Sequence, residues 1–284
     1  PRLACGCDDR KVRVIDPVAG GEALLVIDVD SNVYALLVFA DPATGEFRIA
    51  CVTSYYGKAW VRIYNPVSGG EALIVIEVGS IVWALTVFEA PATGALRLAS
   101  GSDERDGSVR VWDLVAGGEV LFVLKGHTSR IEALTTFADP ATGALRIACG
   151  CSREVRIYDP VAGGWALAVL DCAYTDWVLA LTVFKDSATG GLCLASGDRD
   201  GFVRIWDLAA GGAAEESDAA EEDEDEEASD EDETRVASPL FVLKGHTNYD
   251  VNALTAFADP ATGEMRLVSG SKDKTLQVWD ASKG

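Results

Sequence analysis

One short segment recurs six times along this chain, and its spacing limits the possible folds more than any other feature. It reads VRVID over Val12–Asp16, then VRIYN ending at Asn65, VRVWD at Asp113, VRIYD at Asp159, VRIWD at Asp207 and LQVWD at Asp280. The steps between closing residues are 49, 48, 46, 48 and 73. The last step is long because an extra segment interrupts it. Gly118 precedes Leu121 by 3 residues, whereas the matching Gly212 precedes Leu240 by 28. Without those 25 residues the last step is also 48. A fixed period of this length marks an architecture built from one supersecondary unit per repeat.

Each period contains four short apolar runs separated by turn chemistry. In one copy VWALTVF (Val82 to Phe88) leads into the turn Pro91 to Gly94, then LRLAS (Leu96 to Ser100), SVRVW (Ser108 to Trp112) and, after a Gly-Gly turn, VLFVL (Val120 to Leu124). These runs have strand length and are rich in Val, Leu, Ile and aromatic residues, between Gly, Pro and Asp. SVRVW and its copies alternate with period two, which predicts that Arg110 and its counterparts face solvent. Runs of five to eight residues between Gly-rich turns are too short for helices. A four-stranded antiparallel unit cannot bury both of its faces alone. Neighbours stacked radially can cover them, which is the β-propeller solution.

The residues at fixed places in the repeat then resemble a known family, the WD40 repeat proteins. Trp112-Asp113, Trp206-Asp207 and Trp279-Asp280 match its Trp-Asp dipeptide, and Gly126-His127 and Gly245-His246 match the Gly-His that opens a repeat. The resemblance covers essentially the whole chain outside the extra segment. It implies an all-β fold, a WD40-type β-propeller forming a single domain over residues 1–284. Six repeats of four-stranded blades are visible, the first and last incomplete. The runs number 22 where six full blades would have 24, and the chain begins at Pro1, so a fragment of a larger propeller is expected.

The resemblance also implies a structural hydrogen-bond network in each blade, joining a loop His, a second-strand Ser or Thr, a turn Asp and the third-strand Trp. His246, Ser269, Asp273 and Trp279 match it fully. Ser100, Asp106 and Trp112, and likewise Ser196, Asp200 and Trp206, keep three members without the His. The blade opened by His127 has Cys149 and Tyr158 and no turn Asp; that of Tyr64 has Cys51 and neither His nor Asp. The Ser-His-Asp set is read as structural, because buried polar groups need such partners.

Composition removes several functional classes. The formal charge is −21, but the 19 residues from Glu215 to Glu233 carry 14 carboxylates and no Lys or Arg, leaving −7 over the other 265 residues. A body without basic clusters is a poor binder of nucleic-acid backbone. No run approaches the ~18–20 apolar residues of a membrane helix, so no membrane association is expected. With two histidines, no Gly-rich phosphate loop and no nucleophile beside a base, neither catalytic residues nor a cofactor is expected. The pairs Cys5/Cys7 and Cys149/Cys151 could together ligate zinc, but they stand where other repeats have Ser100-Gly101-Ser102 or Ser269-Gly270-Ser271. They are read as small buried thiols, with no metal site. Seven cysteines in a long chain read as reduced thiols of a cytoplasmic or nuclear protein.

Differences among the copies point to where recognition would sit. At the starts of the innermost strands an aliphatic residue is kept while its neighbours vary. In the family those strand starts form a ring face that commonly binds partners. By that resemblance Tyr34, Trp83, Arg130, Glu132, Trp177 and Tyr249 would ring this face, with Tyr55, Tyr56, Arg105 and Arg199 nearby. Trp, Tyr and Arg dominate binding hot spots. The expected function is a non-enzymatic scaffold for partner proteins or peptides. The alternatives are a substrate-recognition or regulatory part of an enzyme assembly, such as a ubiquitin ligase, and a binder of histones or other basic proteins through the acidic insert. That insert, residues 213–237 of the fifth blade, cannot bury apolar surface and is expected to be disordered, on the opposite face of the ring.

Overall fold

The computed structural model describes residues 2–55, 57–103, 108–114, 118–127, 129–172, 177–209, 235–247 and 249–281. It is all β, in six sheets that follow one another along the chain and are antiparallel but for one added strand. The first sheet is β1 (Leu3–Cys7), β2 (Lys11–Ile15) and β3 (Leu25–Asp28). The second is β4 (Val33–Ala40), β5 (Phe47–Tyr55), β6 (Lys58–Tyr64) and β7 (Ile74–Gly79). The third is β8 (Val82–Glu89), β9 (Leu96–Ser102), β10 (Val109–Asp113) and β11 (Val120–Leu124). The fourth contains β12 (Ala133–Ala138), β13 (Leu145–Gly150), β14 (Glu154–Tyr158) and β15 (Ala168–Asp171). The fifth joins β16 (Val178–Lys185), β17 (Leu192–Asp198) and β18 (Phe202–Asp207) to β20 (Phe241–Lys244), with β19 (Arg235–Ala237) between the last two in sequence. The sixth is β21 (Val251–Ala258), β22 (Met265–Ser271) and β23 (Leu276–Asp280). As the repeat predicts, the first sheet lacks an inner strand and the last lacks an outer one among the described residues.

Side-chain chemistry at the turns fixes these hairpins. The side chain that closes a recurring segment folds back on the next residues at Asp16, Asn65, Asp159 and Asp207. Asp16 Oδ1 accepts from the Val18 and Ala19 amides at 2.9 and 3.0 Å, and Asp159 Oδ1 accepts from Val161 and Ala162 at 2.8 and 3.0 Å. The turn between first and second strands works likewise: Asp139 Oδ1 accepts from Ala141 and Thr142. That turn ends on Gly143 at φ 71°, a left-handed conformation that glycine adopts without a Cβ penalty. Asp207, of a Trp-Asp pair, forms its turn likewise by accepting from the Ala209 amide at 2.8 Å, and Asp113 pairs with Arg97 at 2.6 Å.

The core is divided into five seams, each between two successive sheets. Between the third and fourth, Val109, Val111, Leu124 and Phe88 meet Ile131, Ile147, Cys149 and Tyr158. Between the fourth and fifth, Ala148, Val155, Leu170 and Phe137 meet Val178, Leu194 and Trp206. Sheet-to-sheet approach is closest where a second-strand residue lacks a side chain. A Cβ on Gly101 would lie 2.5 Å from Ile131 Cγ2, and one on Gly197 would lie 2.6 Å from Val251 Cγ1. Gly6 and Gly150 face Val33 and Val178 in the same way. At Val33, Ile131, Val178 and Val251 the aliphatic residue kept at the inner-strand start is therefore the one seated on the glycine of the preceding sheet.

Two expectations need correction. Third-strand arginines do not all face solvent: Arg204 is 7% exposed and ion-paired with Asp198, itself 1% exposed. β18 is covered on both faces by neighbouring sheets, so the polar half of its alternation lies in a seam. The disorder expected over residues 213–237 does not extend to the last three of them. Residues 213–234 lie outside the described residues, but Arg235–Ala237 is a strand whose backbone pairs in parallel with Ala168–Leu170 of β15. Outer strands leave backbone N–H and C=O groups unpaired along their free edge, and those of β15 pair with the backbone of β19. The insert itself joins β18 to β20 at the end of the sheet opposite the inner-strand starts, as antiparallel alternation requires.

Candidate functional site

The inner strands β4, β8, β12, β16 and β21 lie side by side in chain order. Their starts converge on one mouth, where five of the six residues expected there form a continuous cluster. Tyr34, second in β4, meets Trp83, second in β8, edge to face at 5.4 Å between ring centroids. Arg130, on the approach to β12, lays its guanidinium over the Trp83 ring at 4.6 Å and over the Trp177 ring at 5.0 Å. The arginine is thus held between two indoles from the neighbouring sheets, a cation–π arrangement that fixes an otherwise flexible side chain.

The electrostatics of the cluster are balanced. Arg130 pairs with Glu132 and lies 3.8 Å from Asp103. Burial raises the Glu132 pKa from its ordinary value, and the Arg130 charge opposes that shift. Asp103 was not expected; it follows β9, and only the fold brings it beneath the next sheet's loop. Tyr249 is 51% exposed on the approach to β21, and its carbonyl accepts from Ser271 Oγ at 3.2 Å. It is the one of the six that neither these ring contacts nor the Arg130–Glu132 pair joins among the described residues. Tyr55 ends β5 and is exposed, and Arg199 is exposed beside β17; Tyr56 and Arg105 lie outside the described residues.

The sixth sheet shows what the four matching residues do together. His246 Nε2 lies 2.7 Å from Ser269 Oγ and Nδ1 2.8 Å from Asp273 Oδ2, while Trp279 Nε1 donates to Ser269 Oγ at 2.8 Å. This chain of bonds ties the approach to β21 to the second and third strands, with the serine hydroxyl engaged from both sides. It holds no free nucleophile. Hydrogen bonds from Thr275 and then His246 hold the Asp273 carboxyl well below its ordinary 3.8. A carboxyl with a depressed folded pKa contributes stability above the ordinary value and loses it as pH falls. Asp273→Asn is therefore expected to melt below wild type at pH 6, with the gap closing below about pH 4. A gap that widens in acid would contradict this.

The family model for the WD domain, G-beta repeat, matches residues 78–113, 165–207 and 237–280, which span the last strand of one sheet and the first three of the next. The chain belongs to the WD40-repeat family. A search of curated proteins returns no match. WD40 domains are typically non-catalytic scaffolds that bind other proteins. Among the described residues no helix is long and apolar enough to cross a membrane.

The other WD40 blades keep parts of the network. Trp112 Nε1 donates to Ser100 Oγ at 2.8 Å and Trp206 Nε1 to Ser196 Oγ at 3.0 Å, while Asp106 lies outside the described residues. In the fifth blade the buried acid is Asp198 rather than the expected Asp200, whose amide donates to Asp198 Oδ1 at 2.9 Å. In the fourth blade the Tyr158 hydroxyl donates to the Lys125 carbonyl at 2.7 Å in place of an indole-serine bond. Its Cys149 and Cys151 are buried where sister blades have serines, with thiol pKa values raised by burial. All seven cysteines are free. His127 is buried beside Tyr158, and burial together with the Arg156 charge pushes its pKa down to about 3. A groove of about 530 Å³ opens elsewhere, between the second and third blades at the end opposite the mouth, lined by Phe39, Arg48 and Leu96 among others.

Proposed function

We propose that this WD40 chain is a scaffold that docks a partner protein segment at the mouth built from Tyr34, Trp83, Arg130, Glu132 and Trp177. The observation that supports it is the stacked arginine between Trp83 and Trp177, continuous with Tyr34 across four adjacent blades. Interface energy concentrates in rigid aromatic and arginine side chains, because they present large area with little freedom left to lose. The stacking holds these side chains in place before any partner arrives. Acidic Asp103 and Glu132 beside Arg130 give the mouth both signs of charge, which favours register and selectivity over sheer attraction. Affinity capture with wild type and with a Trp83→Ala/Arg130→Ala/Trp177→Ala variant tests the reading. A partner held by the mouth is expected to be lost from the variant, and one retained in full by a folded variant would place recognition elsewhere.

A further inference from the structure

The two Gly-His histidines are used differently. His246 engages both ring nitrogens, whereas His127, at the matching place in the fourth blade, is 3% exposed and has no hydrogen-bond partner for either nitrogen among the described residues. A buried polar ring left this way requires a reason. A His127 ring nitrogen, Cys151 Sγ and a Glu154 carboxylate oxygen all lie within 4.8 Å of one another. We propose that His127, Cys151 and Glu154 form a zinc-binding site.

The donor set is one nitrogen, one sulfur and one oxygen, a mixture suited to zinc, which is borderline soft and imposes no geometry beyond four-coordination. Ligand atoms around a tetrahedral zinc stand roughly 3.5 Å apart, so side-chain rotation of about 1 Å closes the set. The backbone already favours it. Cys151 and Glu154 flank the tight turn between β13 and β14, held by the Cys151 amide donating to the Glu154 carbonyl at 3.1 Å and by Arg153 at φ 65°. The third ligand comes from the approach to β12, in the same seam.

The charges and protons also balance. Without an ion the Cys151 thiol lies 3.6 Å from both the Glu154 carbonyl and Oε1. On binding, the thiol proton leaves to solvent and the sulfur lone pair forms the metal bond, with no oxidation. One thiolate and one carboxylate cancel the two positive charges of the ion. Arg156 Nε holds Glu154 Oε1 at 2.6 Å and leaves the other carboxylate oxygen for the metal, the outer partner that such ligands ordinarily have. Three protein ligands leave a fourth position for water or a partner's atom. The reading of Cys149 and Cys151 as plain serine substitutes is thereby revised for Cys151 alone.

Cobalt titration of the metal-free full chain tests this, with zinc added afterwards to displace it. One cobalt per chain is expected, with a thiolate-to-cobalt absorption band that zinc abolishes, and zinc should raise the melting temperature. Cys151→Ser and His127→Gln should each lose the band and weaken binding at least tenfold. Cys151→Ser restores the residue found at Ser102 and Ser271, so it is expected to fold, and it decides the matter if His127→Gln does not. A Cys5→Ser/Cys7→Ser variant should bind as wild type does. No band in wild type, a band that survives in Cys151→Ser, or one lost with Cys5 and Cys7 would overturn the proposal.

Discussion

Trp206→Ala is expected to lower stability by about 3–5 kcal/mol, the usual range for emptying a buried Trp site. Trp206 is 1% exposed in the seam between the fourth and fifth blades, against Leu170, Val155 and Val178. Its removal leaves a cavity that the two sheets cannot close without shifting whole strands. It also leaves Ser196 Oγ, 1% exposed, without its indole donor. The melting temperature should fall by roughly 6–20 °C for a domain of this size. Trp206→Phe separates the two contributions: most packing returns while the indole-serine bond does not, so a loss of about 1–2 kcal/mol should remain. Trp279→Ala should cost less than Trp206→Ala, because Trp279 is only partly buried. A loss below about 1 kcal/mol for Trp206→Ala would mean that the seams do not hold the blades together.

Gly101→Ala is expected to cost about 1–3 kcal/mol although it adds only a methyl group. That methyl would meet Ile131 Cγ2 at 2.5 Å and Cβ at 2.8 Å, with the Ile131 carbonyl at 3.4 Å behind them. Ile131 is fully buried on the approach to β12 and cannot swing away. Truncating it to Ile131→Ala removes Cγ2 and with it part of the clash, so the double variant should lose less than the two single variants together, a coupling read by a double-mutant cycle. The second blade shows that the cost belongs to the fit of one seam. There Val52 takes the glycine's place, pairs with Ala35 and packs in a seam with Val82. Strict additivity at Gly101 and Ile131 would show that the two residues do not share the strain.

Much of this was legible in the sequence because the repeat supplies its own internal control. The end-to-end spacing of Asp113, Asp159 and Asp207 fixes the strand order, and the strands fall where the apolar runs are; Val120–Leu124 matches to the residue. The partial blades at both ends were visible for the same reason. The failures come from contacts that cross blades. Alternation within SVRVW cannot reveal that a neighbouring sheet covers both faces, so the burial of Arg204 with Asp198 was not foreseen. Variation at inner-strand starts named Trp83, Arg130 and Trp177, but that the arginine lies between the two indoles depends on loops from three blades meeting. β19 rests on backbone pairing, which leaves no pattern in side-chain types.

Docking at the mouth is tested most directly by titrating a captured partner against wild type and the Trp83→Ala/Arg130→Ala/Trp177→Ala variant, with folding of both checked by melting temperature. Three central aromatic and arginine side chains, each worth about 1 kcal/mol or more, predict a dissociation constant weakened about 100-fold or beyond. A folded variant whose affinity stays within about twofold of wild type would contradict docking at this face.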